Sequence, residues 1–300
     1  MSNHEPFTSI VPGLFDPFEL PSVPVLTNPS SAIAEVQVDS IPTYSSVEKP
    51  LTTRVWGTDF AHVNMQQTLE LIADSVEHRR PQYMITANVN YLMLTEQYPR
   101  LRDVNARSLA VIADGNPIVW RSKLTACPLP TRVAGSDLII EVARLAADHS
   151  YRIFFLGAAP GVARAAATTL QHSFPNLQVA GCYSPPFRAL TQAEHQQMID
   201  TIRTSRTDIL LVAFGQPKGE LWIYDHLMEL NVPMSIQLGA SFDFLAGTAK
   251  RAPEAWQRLG CEWLYRTLQD PQRLTKRYAS NALYLAKQLF LELLGMKQSN

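Results

Sequence analysis

MITANVNYLMLTEQYPRLRDVNARSLAVIADGNPIV, residues 84–119, is the stretch that decides the fold. It holds two apolar runs that each break into a polar turn. Met84-Ile85 ends at Thr86-Ala87-Asn88, and Leu109-Ala110-Val111-Ile112-Ala113 ends at Asp114-Gly115-Asn116. Apolar runs without polar alternation suit strands covered on both faces of a sheet. In an open α/β sheet, ligands bind beyond the carboxyl ends of the strands. Thr86, Asn88 and Asp114 are therefore the candidates to face a substrate.

The same pattern repeats downstream. Arg152 to Leu156 runs into Gly157-Ala158-Ala159-Pro160-Gly161, and Asp208 to Phe214 runs into Gly215-Gln216-Pro217-Lys218-Gly219-Glu220. Leu177 to Gly181 and Met234 to Leu238 read as further strands, the second ending at Gly239. Between them, helical spacing marks 64–78, 88–98, 136–148, 162–172, 191–204 and 220–229, with Ser136 as the expected N-cap of the third. Strands alternating with helices predict a Rossmann-like, mostly parallel sheet with helices on both faces. After Gly247 the pattern changes. Tryptophans interleave with arginines, and residues 274–296 read as one amphipathic helix. We expect a leader over 1–50, rich in Pro, Ser and Thr and without period, then an α/β core over 51–249 and a helical, basic appendage over 250–300.

Bulk composition narrows the function classes. With 46% hydrophobic and 18% charged residues in 300, the chain can bury a real core. Its net charge of −1 carries no nucleic-acid signature. The charge is uneven, however. Nine basic and four acidic residues lie between Lys250 and Lys297, so the tail is +5 and the remainder −6. A basic end on an acidic body suits an anionic partner, phosphate or lipid headgroup, with an oligomer interface as the alternative use. The three cysteines are far apart, so neither a zinc site nor a disulfide framework is expected, and a reduced cytoplasmic setting fits. No basic patch followed by an apolar run opens the chain and no run of about 20 apolar residues occurs, so neither a secretory signal nor a spanning segment is expected.

Each candidate has a functional and a plainer reading. Asp114 before Gly115 suits a general base taking a proton from an attacking hydroxyl, or a cap on the next turn. Thr86 and Asn88 suit sugar hydroxyls, or helix capping. Arg132, just before a helix start, suits bidentate phosphate binding, or is a surface arginine. The amides of Gly157 to Gly161 suit phosphate, or form a plain turn. His226 and Glu229, three apart on a helix, read as a surface contact rather than metal ligands. The Trp256, Trp263, Phe290 stripe reads as core. No Gly-x-Gly-x-x-Gly follows the first strand and no P-loop occurs, which speaks against NAD-type oxidoreductases and ATP enzymes. There is no Asp-x-Asp, so a nucleotide-sugar enzyme built this way would neutralise its diphosphate with cations or helix N-termini.

In order along the chain, Thr86-x-Asn88, Asp114-Gly115, Arg132-Val133-x-Gly135, Phe155-Leu156-Gly157 with Pro160-Gly161, and Gly215-x-Pro217-Lys218-x-Glu220 are followed by Phe242-Asp243-x-x-x-Gly247, Arg251-Ala252-Pro253, Glu262-Trp263-x-x-Arg266 and Pro271-x-Arg273-Leu274. This series resembles the WecG/TagA/CpsF glycosyltransferases, glycosyltransferase family 26, over about residues 54–280. The resemblance implies an inverting, metal-independent enzyme without a cofactor. It would move a hexose (N-acetylmannosamine, its uronate, or glucose) from a UDP-sugar to a polyprenyl-diphosphate-linked sugar in cell-surface polysaccharide synthesis. Asp114 would be the base. Thr86, Asn88, Arg132, Gly157, Gln216, Lys218 and Glu220 would contact substrate. Arg258, Arg266, Arg273 and Arg277 would neutralise the leaving diphosphate or lipid phosphates, on an appendage docked at the inner face of the cell membrane. One position departs: the family reads Pro-Lys-Gln-Glu, and this chain has Pro217-Lys218-Gly219-Glu220. That removes a side chain expected to reach donor or acceptor, leaves the donor open, and motivates the alternative of a non-catalytic sugar-nucleotide-binding protein on the same fold.

Overall fold

The computed structural model describes residues 49–253, 255–256 and 260–295, except for the side chain of Arg273. The expected leader up to residue 48, Arg258 and the Arg273 side chain therefore lie outside the described residues. In chain order, the strands are β1 (Thr52–Val55), β2 (Thr58–Ala61), β3 (Gln82–Ala87), β4 (Ala110–Ala113), β5 (Arg152–Gly157), β6 (Gln178–Tyr183), β7 (Ile209–Ala213) and β8 (Met234–Gln237). The helices are α1 (Met65–Glu77), α2 (Val89–Gln97), α3 (Arg100–Arg107), α4 (Asn116–Ser122), α5 (Gly135–His149), α6 (Val162–Ser173), α7 (Gln192–Thr204), α8 (Lys218–Leu230), α9 (Ser241–Leu245), α10 (Glu262–Gln269) and α11 (Pro271–Leu293).

β3 to β8 form one parallel six-stranded sheet in the order β4-β3-β8-β7-β5-β6. Strand period decides the two faces. Met84, Ile112, Ile153, Phe155, Leu211 and Ile236 point to the layer of α1, α5, α6 and α9. Tyr83, Ile85, Phe154, Leu156, Leu210 and Val212 point to the layer of α2, α3, α7 and α8. Both faces are thus covered, as the unbroken apolar runs predict.

Sheet order explains where the cleft opens. The chain leaves β3 toward β4 at one edge, then crosses to β5 and β6 at the other, and only later returns to lay β7 and β8 between. Loops leaving the carboxyl ends of β3 and β4 therefore diverge from those leaving β5, the arrangement that makes a ligand crevice.

The structure adds elements that the spacing does not announce. β1 and β2 form an antiparallel hairpin beside β4, with Thr53 Oγ1 donating to Cys127 O at 2.6 Å. α3 and α4 are short helices within the opening stretch. Two expectations are corrected. α5 begins at Gly135 with Ala134 at the N-cap, so Ser136 is inside the helix. The Trp256, Trp263, Phe290 stripe is not one core: Trp263 is 48% and Phe290 61% exposed, while Trp256 is half-buried with its ring 5.7 Å from that of Tyr265.

α10 and α11 pack back onto the sheet domain through polar ties. Arg121 Nε donates to Glu292 at 2.7 Å, Lys287 Nζ to Glu96 at 3.0 Å, and the Tyr284 ring enters the α2 side of the core. Among the described residues, no helix is long and apolar enough to cross a membrane.

Candidate active site

Asp114 stands one residue beyond β4, at the carboxyl end of the sheet. Its backbone N–H continues the ladder, donating to Ala87 O at 2.9 Å. Val133 N donates to Ala113 O at 3.0 Å, which brings the start of α5 alongside. Gly135 N then donates to Asp114 Oδ1 at 3.2 Å. Asp114 therefore caps a helix 21 residues away. This also explains the shifted start of α5: the first-turn N–H is satisfied by a remote carboxylate, so Ser136 is not needed as a cap.

Burial raises the Asp114 carboxyl from its ordinary value to about 7. Arg132, the Gly135 N–H and Arg266 pull it down, and Glu262 pushes it up, but desolvation outweighs them. A carboxylate poised near neutrality at a strand end is what proton transfer requires. Two of these perturbing groups come from α10. Glu262 approaches Arg132 at 3.7 Å, with both side chains mostly covered, and Arg266 lies 5.2 Å over the Phe244 ring of α9. α10 thus reaches the mouth of the cleft. Gly260, at φ +71°, fits against Asn116 and Trp120, where a Cβ would crowd the Asn116 amide at 2.8 Å.

Thr86 is buried, and its hydroxyl donates to Gln237 O at 2.8 Å. The Asn88 side-chain oxygen accepts from Tyr91 N at 3.2 Å and caps α2. Gln216 bridges the same strand ends: its Nε2 donates to Thr86 O at 3.2 Å and its Oε1 accepts from Asn90 at 3.2 Å. Asn90, Gln237 and the Gly135 amide are thus parts of the site that sequence reasoning missed. Asn90 follows the Thr-x-Asn turn by two residues and was open to notice; nothing in the sequence pairs Gln237 with Thr86.

Other candidates have structural placements. Gly157, at φ +104°, comes so close to the Ala213 carbonyl that a Cβ would sit at 2.8 Å from it, and the next amide, Ala158 N, already donates to Ala213 O at 3.0 Å. Lys218 opens α8 and is exposed. Glu220 lies below the cleft, 1% exposed. Burial pushes its carboxyl up to about 8, against its own backbone N–H and the nearby Gln216 amide. Neither oxygen makes a well-formed hydrogen bond. Arg277 lies on α11 with its guanidinium 6.0 Å from the Tyr278 ring. His226 meets Glu229 at 3.3 Å as a local contact, and among the described residues no three His, Cys, Asp or Glu side chains gather as a metal site.

Two open grooves of about 810 and 880 Å³ lie elsewhere, one between the β1–β2 hairpin and α3, the other around Arg152 and Asp208 where β5 and β7 begin. Neither includes Asp114. Volume alone would favour them, but the convergent polar groups are at the opposite ends of the strands, and chemistry follows those groups.

Residues 53–299 match the model of the glycosyl transferase WecG/TagA/CpsF family. An N-acetylglucosaminyldiphosphoundecaprenol N-acetyl-beta-D-mannosaminyltransferase of Bacillus spizizenii is 31% identical over 198 residues, 66% of this chain and 75% of its own length. The protein of that name in Staphylococcus aureus is 30% identical over 225 residues, 73% of this chain and 85% of its own.

Proposed function

The chain belongs to the WecG/TagA/CpsF family and is a glycosyltransferase of polysaccharide biosynthesis; from that premise we propose that it transfers N-acetylmannosamine, or a close relative of that sugar, from UDP to an N-acetylglucosamine carried on a polyprenyl diphosphate. The observation that carries this reading is Asp114, partly buried, raised to about 7 and held by the Gly135 N–H at the mouth of the cleft.

In the proposed reaction, an acceptor hydroxyl gives its proton to Asp114 while its oxygen attacks the anomeric carbon from the face opposite UDP. The bond from that carbon to the phosphate oxygen breaks, and the configuration inverts. Charge then develops on the departing diphosphate. Arg266 beside the base, with Arg132 and Arg277, supplies cations for it, and Arg258 and Arg273 are further candidates from the same appendage. Cation clamps of this kind stabilise leaving phosphates without a metal ion. Gln216 and Asn88 stand at the strand ends where sugar hydroxyls would lie, and Thr86 braces them from below.

The acceptor is lipid-linked, so the enzyme must work at a bilayer. α10 and α11 expose Trp263, Leu268, Leu289, Phe290 and Leu293 beside lysines and arginines. That supports peripheral docking on an anionic cytoplasmic leaflet, since apolar insertion and basic attraction together anchor interfacial helices.

UDP release by the purified full chain tests the reading, with EDTA present and UDP-N-acetylmannosamine, its uronate, UDP-glucose and UDP-N-acetylglucosamine supplied in turn. We expect release that requires the lipid-diphosphate acceptor and is greatest with UDP-N-acetylmannosamine. UDP binding without release from any donor would overturn it in favour of a non-catalytic binding protein.

A further inference from the structure

Position 219, where this chain departs from the family's Pro-Lys-Gln-Glu, faces the protein interior rather than the cleft. Gly219 is buried in the first turn of α8, and a Cβ there would overlap the side-chain amide of Gln237 at the end of β8. Gln237 is 1% exposed. Its amide lies between the Val212 carbonyl and the Gly215 N–H, and the orientation that satisfies both neighbours is assigned to it: nitrogen toward Val212 O at 2.9 Å and oxygen toward Gly215 N at 3.2 Å. Its backbone carbonyl accepts the Thr86 hydroxyl at 2.8 Å. One residue thus joins the ends of β3, β7 and β8. The Gly215 N–H it holds begins the turn that delivers Gln216 to Thr86 O and Asn90.

We propose that Gln237 is the positioning residue of the Gly215–Glu220 turn, and that Gly219 is its required complement. The space between α8 and β8 admits one amide side chain, and this chain supplies it from the strand. Gln237 does not reach substrate; it acts through Gly215 and Gln216. Its effect on transfer rests on the cleft being the transferase site, as proposed above.

Five full-length proteins test this: the native chain, Gly219→Gln, Gln237→Gly, the double variant, and Gln237→Met, which keeps the volume and loses both amide hydrogen bonds. Gly219→Gln should lose on the order of tenfold in kcat/KM, because a second amide has no room. The double variant should recover to within about threefold of native, since non-additivity marks groups that share one space. Gln237→Met should raise the donor KM on the order of tenfold with kcat changed much less, and should speed amide hydrogen exchange across 215–220. A double variant no better than the poorer single variant would overturn the proposal, as would Gln237→Met with native exchange and native donor KM. Should the native chain transfer from no donor, the functional reading falls by itself. Exchange across 215–220 and the coupling of the two substitutions in unfolding free energy would still decide the role of Gln237.

Discussion

The central strands and the C-terminal helix use the same residue types in opposite ways. Ile209, Leu210, Leu211 and Val212 of β7 have no measurable exposure, while Leu283, Leu289, Phe290, Leu293 and Leu294 around α11 are all at least half exposed. Apolar area removed from water is worth about 25 cal/mol per Å². β7 has already gained that on folding, and α11 has not. A cluster of large apolar side chains left on one helix marks a surface meant for another phase or partner. The comparison separates a part whose apolar residues build a scaffold from a part whose apolar residues stay exposed, the face proposed above to dock. Asp114 sits at the junction of the sheet domain with the C-terminal helices: Arg132 and the Gly135 N–H act on its carboxyl from one side, Glu262 and Arg266 of α10 from the other.

The largest effect should come from the junction. Asp114→Asn keeps the oxygen that accepts from Gly135 N but removes the base. Turnover should fall by roughly 10²–10⁴, measured as acceptor-dependent product formation, with circular dichroism unchanged. Near-native turnover would remove Asp114 from the mechanism. The same variant should also change stability with pH. The folded carboxyl is raised to about 7 from its ordinary value of 3.8, so its contribution is complete below about 4 and is lost as pH rises through 7. Asparagine escapes that loss, and the variant's Tm should exceed the native Tm by more at pH 9 than at pH 5.

Next in size is the docking face. Leu289→Glu with Leu293→Glu places charge at two exposed positions of α11 and leaves the buried Tyr284 and Leu274 in place. Co-sedimentation with vesicles containing anionic lipid should fall on the order of tenfold or more. Turnover on a lipid-linked acceptor should fall with it, and Tm should stay within about a degree or two, because exposed substitutions seldom move stability by more than about 0.5 kcal/mol. A large loss of Tm with unchanged vesicle binding would show instead that this face covers another part of the protein.

Arg132→Ala should act more gently, through the base. Arg132 lowers the Asp114 carboxyl and pairs with Glu262. Without it, Glu262 is left to push the carboxyl up unopposed from that side, so the acid limb of kcat/KM against pH should move to higher pH. At pH 6 the loss should be on the order of tenfold, narrowing by pH 9. An acid limb in its native place would mean that Arg132 serves substrate alone.

What the sequence discloses follows the same divide. The six sheet strands could be read directly, five of them because strands buried on both faces need unbroken apolar runs and end at glycine or polar turns, while β6 at the sheet edge is only half-buried. The β1–β2 hairpin could not: Thr52-Thr53-Arg54-Val55 buries Thr53 and Val55 only where remote parts of the chain, α4 and the Cys127 carbonyl, meet β1. α3 and α4 are too short for a helical period to stand out. Asp114, Thr86, Asn88 and Gln216 were legible as strand-end polar residues; Asn88 caps its own helix across three positions, whereas the hydrogen bonds that organise the other three cross from 21 to 151 positions. The Gln237–Gly219 fit belongs to that second class, since neither residue predicts the other without the sheet order. The aromatic stripe misled for a different reason. The sequence shows large apolar side chains at Trp263 and Phe290, on two successive helices, but says nothing about what covers them.

The smallest predicted effect tests whether the scaffold really is independent of the chemistry. Asn64 caps α1: its side chain accepts from Gln67 N at 2.9 Å, and the Gln67 side chain returns a bond to Asn64 N at 2.9 Å. α1 lies in the layer on the α5 side, and the hydrogen bonds of Asn64 among the described residues stay within its own first turn, to Gln67 and Thr68. Asn64→Ala should therefore cost about 1 kcal/mol of unfolding free energy and leave kcat, the donor KM and vesicle binding at native values. Urea unfolding and the transfer assay on one preparation measure both. If this variant instead lost turnover in proportion to its stability, α1 and the cleft would share one cooperative unit, and the separation of a finished core from an unfinished docking face would have to be redrawn around that helix.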